Sequence, residues 1–164
     1  MDKEKENKRT DFILTLNKMQ SVLNTQPETI DEATRRVEAA TKFVDDVTKY
    51  YLETVIDCEM QQATVGFRAD RLDTSRTDLT NADTRNRAIA SDVHNEEVER
   101  FHTSTNLFYV NKDRALVAKQ LLEAAENLLA RAVNKQKELA PKQSTTEKSK
   151  SDYNADLEQP SNIK

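Results

Sequence analysis

Two side chains with the spacing of a metal-binding element lie in the second half of the 164-residue sequence. Glu99 and His102 form a Glu-x-x-His segment, and this spacing brings both side chains to one helix face, within reach of one ion. A di-metal site in a helical bundle uses the element twice and adds a glutamate from each of two other helices. Because the element occurs once and the chain has only two histidines, we expect no metal site and no cofactor. Glu99 and His102 remain the candidate pair.

Arg87 and His94 are the second pair whose types could perform chemistry. Their order and spacing resemble the arginine and histidine signature of the all-helical HEPN ribonucleases. The resemblance implies a metal-independent ribonuclease in which His94 acts on the attacking 2′-hydroxyl while Arg87 stabilises charge developing on the phosphate. Ala88 follows Arg87, where that family usually has a polar residue. An ion pair between Asp83 and Arg87 explains the arginine as well, so the ribonuclease is kept as an alternative.

Composition indicates that helices must position these side chains. Glycine occurs once, at Gly66, whereas hairpins and phosphate-binding loops need the positive φ angles that glycine adopts most easily. We therefore predict an all-α chain. The 25 basic and 29 acidic residues are mixed along the chain and give a net charge of −4. No sustained positive field is present, so we expect no general binding of nucleic acid.

The sequence contains no apolar run long enough for a secretory signal or a membrane span. Cys58 is the only cysteine, so it cannot form an internal disulfide and fits a small buried side chain in a reducing compartment. We therefore expect a cytoplasmic protein that does not bind membranes.

A heptad stripe is the clearest pattern among the apolar residues. It alternates spacings of three and four, as in a coiled coil or a helical bundle. Its members are Ile30, Ala33, Val37, Ala40, Val44, Val47, Tyr51, Thr54 and Cys58. A second stripe on the same helix predicts packing on more than one side, through Phe43, Tyr50, Ile56, Met60, Ala63 and Phe67. Such stripes predict packing surfaces and identify no substrate.

These patterns predict a mostly antiparallel bundle of about four helices in a single domain at residues 10–140. The first helix is expected at about residues 10–24. Residues 1–9 form a charged, flexible N-terminus. The polar composition of residues 141–164 offers too little apolar surface to offset the entropy of ordering, so a disordered tail is predicted there.

Capping and helix-weakening residues predict the other boundaries. Thr29 and Glu32 have the spacing of a capping box and begin the second helix. Threonine, serine and asparagine cluster near residues 73–81 and weaken helix interiors, which predicts a turn. A third helix follows. The last helix takes Asn111 as its candidate N-cap and ends before Pro141.

A set of segments spread over the chain carries a family resemblance. The set comprises Val55-Ile56-Asp57-Cys58-Glu59-Met60, Arg68, Asp83-x-Arg85, His94 and Asp113-Arg114. It is similar to an uncharacterised family of small all-helical proteins from Gram-positive bacteria, which has no known activity. The resemblance implies a bacterial, cytosolic setting. It also draws attention to four residues that a bundle could bring together as a buried ion network: Glu59, Arg68, Arg85 and His94.

The sequence contains no complete catalytic set, and the heptad stripe is longer than the first helix can cover. We therefore expect a non-catalytic interaction or regulatory protein whose exposed helical stripe binds a second copy or another protein. The alternative from a different class is the HEPN-like ribonuclease that uses Arg87 and His94.

Overall fold

Three helices make up the computed structural model, which describes residues 2–140. α1 spans Asp2–Asn24, α2 spans Ile30–Asn81 and α3 spans Arg87–Leu139. No strand occurs in this range, so the all-α class predicted from composition is confirmed. The tail predicted at residues 141–164 lies outside the described residues. Within the described range, no helix combines the length and the apolarity that a transmembrane span requires.

The prediction of four helices is wrong, because α2 continues through the turn predicted at residues 73–81. Three threonines of this segment donate their hydroxyls to the carbonyl four residues earlier, at 2.8–3.0 Å: Thr74, Thr77 and Thr80. These bonds satisfy the hydroxyls inside the helix, so they do not compete with it. The turn lies at residues 82–86, and Asn111 is an interior residue of α3 rather than a cap.

The first helix includes residues 2–9, which the sequence predicted to be flexible. Lys5 forms an ion pair with Asp57, and the Lys8 ammonium lies 3.5 Å from the Glu53 carboxylate. The charged side chains from which a flexible N-terminus was predicted therefore form ion pairs that hold the first turns of α1 against α2.

The two long helices form an antiparallel hairpin about 80 Å long, given the 1.5 Å rise per helical residue. The Gln61 side-chain amide donates to the carbonyl of Ser104 at 3.2 Å. Arg68 follows Gln61 by seven residues on α2, and Glu97 precedes Ser104 by seven residues on α3. The Arg68 guanidinium lies 3.6 Å from the Glu97 carboxylate. This register places one heptad of α2 opposite one heptad of α3.

α1 packs in the groove between α2 and α3, at the end of the hairpin away from the turn. The Phe12 ring lies 6.1 Å from Phe43 and 5.4 Å from Tyr50, measured between ring centroids. Its 23 residues cover less than half of the hairpin. We call residues 30–57 with 112–139 the three-helix half, and residues 58–111 the two-helix arm.

Heptad positions form the core of the three-helix half. On α2, residues at seven-residue intervals are buried: Ala33, Ala40, Val47 and Thr54. On α3 the same interval buries Ala118, Ala125 and Ala132. The heptad stripe is therefore confirmed as a packing surface, although its first member, Ile30, is exposed and Cys58 is half-buried. Small side chains on both helices allow the two backbones to approach closely.

The first turn of α2 depends on Thr29. Its hydroxyl oxygen accepts a hydrogen bond from the Glu32 backbone N–H at 3.1 Å, which confirms the predicted cap. We expect Thr29→Ala to lower the free energy of unfolding by about 0.5–2 kcal/mol, measured by urea denaturation. Thr29→Ser keeps the oxygen and should retain most of the stability. Equal unfolding midpoints for Thr29→Ala and the wild type would contradict this role.

Candidate functional site

The two-helix arm carries polar residues at seam positions that are apolar or small in the three-helix half. The α2 seam continues in seven-residue steps to Gln61, Arg68 and Ser75. Within residues 58–111, Ser75 and Glu97 are the only side chains that the structure buries. The arm is therefore held together by polar contacts between the helices, in addition to half-buried apolar residues.

Glu97 lies near the middle of the arm with only 1% of its surface exposed. Arg100 donates to one carboxylate oxygen at 2.7 Å, and Arg68 and Arg71 of α2 lie 3.6 and 3.8 Å from the carboxylate. The hydrogen bond from Arg100, with the three guanidinium charges, holds the pKa of Glu97 below its ordinary value of 4.5, although desolvation opposes this shift. The carboxylate is therefore ionised at neutral pH and links the two helices.

We expect the stabilising effect of Glu97 to depend on pH. Its pKa is lower in the folded chain than in the unfolded chain, so its contribution is complete above about pH 4.5 and is lost as the pH falls through the folded value. The difference in unfolding free energy between the wild type and Glu97→Gln should therefore shrink on acidification. Urea denaturation from pH 7 to pH 3 measures this difference.

A suitable control for the pH series is Glu99→Gln, because Glu99 is exposed on the same helix. The difference in unfolding free energy between Glu99→Gln and the wild type should stay small from pH 7 to pH 3. A Glu97→Gln difference that does not vary between pH 7 and pH 3 would show that the ionised carboxylate does not stabilise the arm.

His94 contacts Ser75 across the arm, with 3.0 Å between the imidazole Nδ1 and the hydroxyl oxygen. The Ser75 hydroxyl donates to the carbonyl of Leu72 at 2.8 Å. Its oxygen therefore accepts from Nδ1–H of His94. The serine is buried and its proton is engaged, so the pair has the geometry of a structural contact.

Arg87 and His94 lie on the same helix, two turns and about 10 Å of helical rise apart. Arg87 is the first residue of α3 and is exposed. The imidazole of His94 is half-buried and engaged with Ser75. Residues seven positions apart share one helix face, but the imidazole contact that the structure describes is with Ser75 and not with Arg87.

The predicted ion network of four residues is not brought together. Glu59 is exposed on α2, and Arg85 lies in the turn at residues 82–86. About 33 Å of helix separates Glu59 from the end of α2, which is far beyond the reach of an arginine side chain. Arg68 and His94 do contact the other helix, but they do so through Glu97 and Ser75 respectively.

Glu99 and His102 are both exposed on α3. Across residues 2–140, no three side chains of histidine, cysteine, aspartate or glutamate are grouped so that they could hold a metal ion. The candidate pair therefore has no third protein ligand in this range.

The groove that holds α1 continues into the two-helix arm. Lys5 pairs with Asp57, so α1 begins near the level of Met60 and leaves the groove unfilled from there to the turn. Three positions that contact α1 recur in seven-residue steps as exposed apolar residues of the unfilled part: Glu53 on α2 leads to Met60 and Phe67, and Leu121 and Arg131 on α3 lead to Val93 and Ile89. We call this surface the open groove. Phe43 and Tyr50, whose rings contact Phe12 of α1, lead instead to the polar Thr64 and Arg71.

The second apolar stripe is only partly buried, so the prediction that all of it packs is wrong. Phe43 and Tyr50 are in the core, whereas Ile56, Met60 and Phe67 are exposed. For Met60 and Phe67 the physical reason is the length of α1, which does not reach the two-helix arm; Ile56 lies in the three-helix half, on an exposed face of α2.

Charged residues occupy the middle of the open groove. A shallow depression there is lined by Arg68, Glu96, Glu99, Arg100, Thr103 and Ser104. Arg100 donates to Glu96 at 3.0 Å, and the guanidinium of Arg68 lies 5.6 Å from the centroid of the Phe67 ring. The open groove therefore has apolar side chains on both sides of a centre that contains arginines and glutamates.

Arg68 and His94 were predicted from the sequence as members of a polar network, whereas their partners, Glu97 and Ser75, were not. The heptad spacing could have identified Glu97 as a seam position, because Glu97 lies 21 residues, or three heptads, before the buried Ala118. It was not recognised because the residues at these heptad positions are polar.

The fold and the groove define this chain as an all-α protein built on a long antiparallel hairpin with a third helix packed along part of it. Comparison with protein-family models, with curated proteins and with solved structures gives no significant match. The open groove and the polar layers are therefore the features from which a function can be inferred.

Proposed function

We propose that this protein is a non-catalytic interaction protein and that the open groove of its two-helix arm binds a protein partner. The observation that supports this function is the continuation of the α1 groove, unfilled, to the turn. Large apolar side chains that project from an unfilled groove are typical of a protein-binding surface. A helical partner would bury them as α1 buries the same face of the three-helix half.

The alternative function, an RNA-cleaving enzyme, is less well supported by the geometry of residues 2–140. Arg87 and His94 share a face of α3, but the imidazole of His94 is engaged with Ser75. We also propose a bacterial cytoplasmic setting, which the sequence resemblance supports. Coiled-coil packing of the hairpin is supported by the heptad spacing of its buried residues.

Val93→Glu tests this function. Val93 is 48% exposed in the open groove, so the substitution places a charge in the surface that would bind while leaving the core intact. We expect capture of the tagged protein from its native host, followed by quantitative mass spectrometry, to recover at least about tenfold less partner. A tenfold loss corresponds to about 1.4 kcal/mol, a modest cost for a carboxylate in an apolar contact.

Val22→Glu is the matched control, because Val22 is 50% exposed and lies on α1, outside the open groove. It should capture as much partner as the wild type. Circular dichroism should show equal helicity for both variants, since substitutions of exposed side chains change stability by about 0.5 kcal/mol or less. Equal capture by Val93→Glu and Val22→Glu would contradict the proposal. RNA without protein in the wild-type eluate would instead favour the ribonuclease.

A further inference from the structure

α1 is held in its groove by few buried side chains. Among residues 3–24, Leu23 is the only one that is buried. Phe12, Leu16 and Met19 are half-buried and pack against the core of the hairpin. The apolar contact of α1 is therefore a single stripe, with spacings of four, three and four residues.

Basic side chains of the hairpin hold the C-terminal end of α1. Arg36 of α2 donates to the carbonyls of Val22 and Thr25 at 3.0 and 2.9 Å. Lys135 of α3 donates to the carbonyl of Thr25 at 2.9 Å. Cations are stabilising there because the end of a helix carries a partial negative charge. Since ion pairs hold the first turns of α1, charge holds both of its ends, and salt screens such contacts.

The hairpin has contacts of its own at both ends. Away from the turn, the Gln136 side-chain amide donates to the Thr34 hydroxyl at 2.9 Å. Near the turn, His94 contacts Ser75 at 3.0 Å. The buried alanines of the seam and the polar bridges of the arm lie between these two levels. None of these polar contacts involves α1, so α2 and α3 can stay paired when α1 leaves.

We infer that α1 detaches from its groove as a unit while α2 and α3 stay paired, and that its release opens this groove to a partner helix with the chemistry of α1. That chemistry is the apolar stripe, preceded by two lysines that reach Asp57 and Glu53. The released groove is continuous with the open groove, so α1 sets the length of the surface that a partner contacts. This inference rests on the proposed function and adds a means of regulating it.

Hydrogen exchange measured by mass spectrometry tests the detachment in the wild type. We expect a rise in NaCl from about 0.05 M to about 0.5 M to speed exchange of the amides of residues 12–24 at least about fivefold, because salt screens the charges at both ends of α1. Exchange of residues 118–132 on α3 should not change. Equal acceleration of both segments would show that α1 opens only when the whole chain unfolds. That result, or no acceleration of residues 12–24, overturns the inference.

A labelled peptide with the sequence of residues 2–24 tests whether the groove accepts a helix of this chemistry. The full chain with Lys5→Glu and Lys8→Glu keeps the groove unchanged but weakens its own α1, whose new negative charges face Asp57 and Glu53. We expect this double variant to bind the peptide at least about tenfold more tightly than the wild-type chain does, because a tethered α1 competes at a high effective concentration. Fluorescence anisotropy measures both affinities.

Lys18→Glu is the matched control, because Lys18 is exposed on α1 and lies outside these ion pairs. It should bind the peptide as weakly as the wild-type chain. Equal affinity of the double variant and the wild-type chain overturns the inference. In that case the proposed function stands if Val93→Glu still loses the captured partner. If Val93→Glu loses none, both are wrong.

Discussion

Replacing Leu128 with alanine is expected to lower the free energy of unfolding by about 2–5 kcal/mol, as is typical when a buried leucine is truncated. Leu128 is 2% exposed and packs in one cluster with Leu23, Ala40 and Ala132. Its neighbours are small or belong to a different helix, so they cannot move into the space without separating α1 from the hairpin. Urea denaturation followed by circular dichroism measures the loss.

Leu116→Ala is the control for this substitution. Leu116 lies on the same helix and is 56% exposed, so the change should alter stability by about 0.5 kcal/mol or less. If both leucines gave the same small effect, Leu128 would not be a core residue and the placement of α1 in the groove would be wrong.

Placing a larger side chain in the seam between α2 and α3 should also lower the stability of the fold. Ala125 is fully buried and lies in the cluster formed by Phe43, Val47 and Leu121. Ala125→Leu adds three carbons at a position where α2 and α3 approach closely. We expect the free energy of unfolding to fall by about 1–3 kcal/mol, the usual cost of overpacking, again measured by urea denaturation.

Ala130→Leu makes the same chemical change at an exposed position of α3. Leucine and alanine are both strong helix formers, so this variant should unfold close to the wild-type midpoint. Wild-type stability of Ala125→Leu would mean that the two helices are not closely packed at this level, contrary to the described seam.

Much of the fold could be predicted from the sequence because the heptads are regular in the three-helix half. Ala33, Ala40 and Val47 repeat at seven-residue intervals, and the near absence of glycine excludes tight hairpins. The number of helices could not be predicted in the same way. Local propensity suggested a turn near Thr74 and Thr77, but their hydroxyls bond within the helix, and packing along the hairpin keeps α2 continuous.

The polar layers of the arm were less predictable for a physical reason. Burying Glu97 is tolerated because Arg100 donates to it within α3 and because Arg68 and Arg71 approach it from the opposite helix. That approach depends on the register of two helices, which neither helix specifies alone. Glu59 and Arg85 looked equally suitable in the sequence, yet helix length holds them far apart. The polar residues of the sequence therefore could not be grouped into a network until the register of α2 against α3 was known.

The distance of the apolar core from the turn has a consequence for the order in which the chain folds. Ser75 and His94 meet after a loop of about 20 residues closes, whereas Ala40 and Leu128, which share a core cluster, require closure of about 90. The longer loop costs about 1.3 kcal/mol more in chain entropy. The contacts that form most readily are therefore polar, and the most stabilising contacts form last. Folding of the hairpin is thus governed by a late, non-local step, which slows folding relative to a bundle whose core lies beside its turn.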